Sequence, residues 1–405
     1  MKNIFKLDKR SWLLLLGIYL FSGGMSFAAF SFWSGKGEDL TSPIIDQEAA
    51  PDGNAVFGGP KNQECPLNGA MYTVGEKELW EGRRPMAVMI ENHEESRPHS
   101  GLSRADVIYE AVAEGGITRF MGVFYCAAAG AIEEKYDIGP VRSARTYFLD
   151  WASEYGENPL YVHVGGANCG RDEGTKQCTS DPRAQAIEQI GQYGWKDTNS
   201  WNDLDQFALS YKACRREPER TGETKATEHT MFCNSQYLWD YADENRGLSK
   251  WPDADDFRPW EFKDDETVGE EDRVGIISFD FWEGYKAYSV SWEYNSEDNT
   301  YLRSNGGEQQ IEFLTGNPLE SKVVVVQFAK ETGPVDDHKH LLYTTIGQGK
   351  ALVFQDGGII EGKWAKKSRQ ARTVFTDNKG KEIEFNRGQI WIEVLPLGNT
   401  VDYGD

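Results

Sequence analysis

The apolar positions of this chain follow two regimes, and the change falls near residue 250. Before it, runs of different period are interleaved. RPMAVMIE at 84–91 and LYVHV at 160–164 are nearly continuous apolar runs, the pattern of buried strands. VIYEAVAE at 107–114 and ITRFMGVFYC at 117–126 flank Gly115 and Gly116, which predicts a hairpin, with a helix over 102–114 as the alternative. Tyr147, Phe148, Trp151, Ala152 and Tyr155 recur at helical spacing, so 143–155 reads as a helix that Gly156 stops, and another is expected over 234–245. Helix, strand and hairpin intermixed indicate an α/β or α+β domain over 76–250.

After it, short β-branched and aromatic runs take over: VGIISF at 274–279, VVVVQF at 323–328, ALVF at 351–354 and QIWIEV at 389–394. Turn pairs such as Asn305-Gly306, Asp356-Gly357 and Lys379-Gly380 separate them. A mainly antiparallel β domain, barrel or sandwich, is expected over 273–397, followed by a tail at 398–405. Between the regimes, 253–272 carries ten acidic residues against two basic ones and includes Pro259, so 251–272 reads as an acidic linker.

The N-terminus adds a location. Residues 11–35 hold no charge and follow Lys2, Lys6, Lys9 and Arg10, so a cytoplasmic basic segment at 1–10 precedes a membrane helix or signal peptide at 11–33. Ser26, Phe27 and Ala28 offer a cleavage pattern; the apolar run continuing to Trp33 favours an uncut anchor. A flexible tether at 34–75 then leads to a body outside the cytoplasm, secreted if the signal is cut. No cysteine directly follows the apolar segment, which excludes a lipid-bearing N-terminus. Cys65, Cys126, Cys169, Cys178, Cys214 and Cys233 all lie beyond it, so disulfides are expected, with Cys169–Cys178 and Cys214–Cys233 the favoured pairs. No pair has the CxxC spacing of a zinc site. The net charge of −22 argues against nucleic acid as a partner.

Candidate chemistry concentrates in the first domain. Arg142, Ser143 and Arg145 open the expected helix after Gly139-Pro140, so the two arginines could face one anion near free helix N–H groups, or pair with Glu110, Glu114 or Asp150. Arg119 follows the glycine turn, and His163 ends a buried strand before Gly165 and Gly166. His163 with Glu114 or Asp150 could form an acid–base pair. DDHKH at 336–340 reads as a surface turn rather than a metal site. GxSxG, GxxxxGK, HExxH and a strand-borne GxGxxG are absent, so no metal or cofactor is expected.

Five strings occur in an order that resembles the YerB-like family, the domain of unknown function 3048: RPMAVMIEN at 84–92, RPHSGLS at 97–103, YEAVAEGGITRF at 109–120, IGPVRSAR at 138–145 and YVHVGG at 161–166. YLRSNG at 301–306, GKALVFQDG at 349–357 and GQIWIEV at 388–394 resemble its C-terminal domain, so the resemblance spans about residues 75–397. It implies a bacterial cell-envelope protein; many members are lipoproteins, and here a protein anchor would replace the lipid. TEHTMFCN at 227–234 stands where members tend to have Pro-His-Asn, which makes His229 an altered match, and 167–181 looks like an insertion locked by a disulfide. The leading expectation is an anion-lined groove of Asn92, Arg97, Glu114, Arg119, Arg142, Ser143, Arg145, His163 and His229 for an acidic peptidoglycan or glycan component. The alternatives are a wall-modifying enzyme using Glu114 or Asp150 with His163, and an assembly factor that binds a protein partner through the β domain.

Overall fold

The fold is that of a computed structural model, which describes residues 48–49, 55–56 and 58–404 apart from 130–135, 176, 198–199, 210–211 and 267. The expected anchor at 11–33 lies outside the described residues, as do 34–47, 50–54 and 57 of the tether; the rest of the tether is not free chain, since Gln63–Glu64 pairs with Met71–Tyr72, Leu67 is buried and Cys65 is buried and bonded to Cys126. Among the described residues no helix is long and apolar enough to cross a membrane.

The principal strands, numbered in chain order, are β1 (Met86–Glu91), β2 (Val107–Glu114), β3 (Ile117–Phe124), β4 (Leu160–His163), β5 (Asp203–Asp205), β6 (Ile276–Phe279), β7 (Val290–Asn295), β8 (Thr300–Asn305), β9 (Val323–Ala329), β10 (Gly347–Gln355), β11 (Gly358–Lys366), β12 (Val374–Asp377), β13 (Ile390–Pro396) and β14 (Asp402–Gly404). Ten of them form one sheet in the order β5-β4-β1-β3-β2-β13-β9-β10-β11-β12. The hairpin β2–β3 is antiparallel as expected, and both turn glycines have positive φ, 57° and 80°, which two-residue hairpin loops of this hand require. The helix alternative for 102–114 is not realised. The continuous apolar runs became central strands: all six residues of β1 and all seven of β9 are buried.

The C-terminal region is mainly antiparallel, as its pattern implies, but it does not close on itself as a barrel. Its strands divide between the shared sheet and a second one that runs β8-β7-β6-β14. The halves meet where β13 pairs in parallel with β2, with Glu393 opposite Glu110. The stretch read as an acidic linker is packed instead of free: Trp251 and Trp260 are buried, and Phe262–Lys263 pairs with Phe385–Asn386. Its acidic residues flank large aromatic ones, and burying a tryptophan outweighs the solvation of neighbouring exposed carboxylates. The tail likewise supplies β14, paired with β6.

The expected helix at 143–155 begins later, at Thr146, runs to Ala152 as α1 and continues as a 3-10 turn over Ser153–Tyr155. The other expected helix is α2 (Ser235–Arg246), capped by the Asn234 side chain and stopped by Gly247 in the left-handed region. Both favoured disulfides are present, and Cys65–Cys126 makes the third.

At the seam, Arg303 on β8 has no exposed surface. It forms an ion pair with Glu110, has its Nε 3.6 Å from Glu393, and lies 4.7–5.5 Å from the rings of Trp391, Trp292 and Phe120. Burial and the neighbouring Glu110 push the Glu393 carboxyl well above its usual range. Removing one partner of such a buried pair costs about 3–5 kcal/mol, because the other charge is left uncompensated. Arg303→Met is therefore expected to lower unfolding stability by that amount, and adding Glu110→Gln to recover part of it. Denaturant titration followed by tryptophan fluorescence checks this; a double variant less stable than Arg303→Met contradicts it.

Candidate functional site

Strand β1 ends in a carboxylate, and a cluster of charged side chains is built around that end. The segment after Pro140 lies along the carboxyl ends of β1 and β4: Val141 bridges Ile90, the Arg142 amide donates to the Met89 carbonyl at 2.9 Å, and the Val164 amide donates to the Arg142 carbonyl at 3.1 Å. Arg142 and Ser143 thus precede α1, and Arg145 is its N-cap residue without a side-chain cap bond. With the helix starting later, Arg142 and Arg145 do not share a helix face or converge on one anion: Arg142 faces Glu91 and Arg145 faces Glu114.

Each arginine has an internal carboxylate. Arg119 and Arg145 both hold Glu114, at 2.9 and 2.6 Å, and Arg119 also donates to the Ser143 carbonyl at 2.9 Å. Burial raises the Glu114 pKa, but the two guanidiniums outweigh it and hold the carboxyl at about 2. Arg142 pairs with Glu91 through Nε at 3.1 Å, and its Nη1 reaches the Glu228 carbonyl at 3.5 Å. Glu91 also accepts from His229 Nδ1 at 2.8 Å, and His229 Nε2 lies 3.6 Å from Glu95. Across the sheet Glu91 stands opposite Arg119, so the two groups form one band of alternating charge.

Asn92 lies beneath this band and is fully buried. Its amide nitrogen lies 3.1, 2.7 and 2.9 Å from oxygens of Glu110, Thr118 and Asn305, sharing its two hydrogens among them, and its oxygen accepts from Arg97 Nε at 3.2 Å. Arg97 also donates to the Ala287 carbonyl at 2.9 Å. These two residues tie the site's floor to the C-terminal region.

His163 and its expected partners are not brought together. Its Nε2 donates to Asp203 and its Nδ1 to the Gly165 carbonyl, both at 2.6 Å, and the ring has no exposed surface. Asp150 instead accepts from Tyr193 and Thr345, each at 2.6 Å. Burial alone would lower the His163 pKa, but the Asp203 bond and charge raise it above the ordinary 6.5. Sequence reasoning did not single out Glu91, His93, Glu95 or Asp203. Its available signal was a glutamate closing an otherwise apolar strand, since a buried carboxylate needs a partner.

The sign of the His163 contribution follows from its raised folded pKa. The stabilisation is complete below the unfolded value near 6.5 and is lost as pH climbs through the folded value. Thermal unfolding of the wild type and His163→Gln from pH 5 to 9 is expected to differ most at the acid end. A gap that widens towards pH 9 contradicts the arrangement.

The comparisons agree with this architecture. The family model described as the N-terminal domain of a protein of unknown function (DUF3048) matches residues 73–248, and that described as the C-terminal domain matches 277–392. A Bacillus subtilis (strain 168) protein named "Putative lipoprotein YerB" is 28% identical over 343 residues, which cover 85% of this chain and 89% of the relative. The crystal structure of YerB from Bacillus subtilis superposes with a TM-score of 0.64 at 25% identity, covering 84% of this chain and 100% of that one.

Proposed function

Since this chain belongs to the DUF3048 family, with both its N-terminal and its C-terminal domain, we propose that it is an extracytoplasmic envelope protein that binds an anionic cell-wall component at Arg142. All six cysteines are paired, a pattern that oxidising compartments permit. The lipoprotein name of the Bacillus relative and the charged-then-apolar N-terminus support the same location at the membrane's outer face.

The observation that carries the binding reading is the difference in exposure among the three arginines. Arg119 and Arg145 have side chains 2% and 8% exposed and both face Glu114, whereas Arg142 is 27% exposed and faces solvent beside Glu91. A guanidinium has five N–H donors, and the contacts of Arg142 with Glu91 and Glu228 leave donors for a carboxylate or phosphate. The groove of the proposal is therefore narrower than the full set of arginines. The acid–base reading loses support: His163 is sealed with both nitrogens engaged, and Glu114 stays ionised at any physiological pH.

Binding of the full chain to purified wall fragments tests this. Loss of one charge-assisted hydrogen bond is worth about 1.5–3 kcal/mol, so Arg142→Ala is expected to weaken binding about 10- to 100-fold and to flatten its salt dependence. Equal retention of wild type and variant, or of neither, contradicts the proposal.

A further inference from the structure

We infer that His93, Glu95 and His229 form a binding site for a borderline divalent transition-metal ion, zinc-like in its ligand preference. The inference goes beyond the anion reading, because Arg142 is not among the ion's ligands and no wall ligand is required. One ligand atom from each of the three residues lies within 4.8 Å of the others. They come from two short turns, Glu94–Ser96, which His93 caps, and Thr227–His229.

The second observation is the way His229 is held. A carboxylate only accepts, so the 2.8 Å contact with Glu91 places the proton on Nδ1. Glu91 is in turn fixed by Arg142 at 3.1 Å. That leaves Nε2 facing the Glu95 carboxylate at 3.6 Å, with room between the two atoms. A metal ion between them would be ligated by both. A histidine whose distal nitrogen is anchored by a buried carboxylate is the arrangement that orients metal-ligating imidazoles.

The donor set fixes the class of ion. Two imidazoles and one carboxylate suit zinc, cobalt, nickel or copper, whereas magnesium and calcium require oxygen donors. Three protein ligands leave a coordination position open to water or an anionic group. At bond lengths of about 2.0–2.1 Å, tetrahedral ligand atoms stand roughly 3.3 Å apart, so the cluster must contract on loading. Glu95 can supply that movement, being 58% exposed on a three-residue turn. His93, stacked on His229 at 4.6 Å between ring centres, must yield its weak 3.2 Å bond from the Glu95 amide if it binds through Nδ1.

The test is calorimetric titration of zinc, and absorption titration of cobalt, into the full chain with its disulfides intact and without an affinity tag. With all cysteines paired, thiolate binding does not compete. One equivalent is expected, with cobalt bands typical of four-coordinate nitrogen and oxygen ligation. Glu95→Ala and His93→Ala, both on the outer turn, are expected to abolish that equivalent without changing the circular dichroism, and Glu91→Gln to weaken it roughly 10- to 100-fold. His338→Ala with His340→Ala removes the other histidine pair near a carboxylate and is expected to leave binding unchanged. The site is refuted if no equivalent binds, if Glu95→Ala and His93→Ala bind as the wild type does, or if the loss follows His338 and His340 instead.

Discussion

Arg303 carries a full positive charge at a position with no contact with solvent, and much of the surrounding structure answers that constraint. Desolvating an ion costs several kcal/mol even after relaxation, so the guanidinium must be matched on all sides. Glu110 comes from β2, Glu393 from β13, and Trp292, Trp391 and Phe120 cover the faces of the ion. These groups come from three separate stretches of chain, and they meet only when β13 lies beside β2 in the register that sets Glu393 opposite Glu110. A slip of β13 by one residue would turn Glu393 to the opposite face of the sheet from Glu110.

The candidate site inherits this order. Asn92 bonds at once to Glu110 and to Asn305, and Arg97 reaches Ala287, so the turn that follows β1 is fixed by the second half of the chain. Above that floor the charges alternate: Arg145, Glu114, Arg119, Glu91, then Arg142 and His229. Pairing keeps the half-buried band near neutral within a protein of net charge −22. It also separates the functional possibilities, because Glu114 is committed to two guanidiniums while Arg142 and the outer turn with His93 and Glu95 remain open to ligands.

What could be read from the sequence was what is decided locally. The β2–β3 hairpin depends on two adjacent glycines, β1 and β9 on unbroken apolar runs, and two of the disulfides on cysteines 9 and 19 residues apart. The Arg303–Glu110 pair spans 193 residues, and nothing in either local pattern specifies its partner. A charged residue inside YLRSNG or QIWIEV was the visible trace of it. His163 was correctly placed at a strand end, but its acid lies 40 residues further on, in β5, rather than at Glu114 or Asp150. The arginine pair failed for a smaller reason: a helix that starts three residues late leaves Arg142 outside it and Arg145 at its extended N-cap, where spacing no longer implies a shared face. The acidic stretch 251–272 misled because its charge dominated the composition while its tryptophans determined the packing.

The shared seam between β2 and β13 is expected to make the two halves open as one cooperative unit. Native-state hydrogen exchange of the full chain, resolved by mass spectrometry, measures this directly. Amides of β1, β2, β8 and β13 are expected to exchange at a common opening free energy, equal to that of global unfolding. Exchange of β8 and β13 at a distinctly lower free energy, while β1 and β2 stay protected, would contradict it and make the site independent of the C-terminal region.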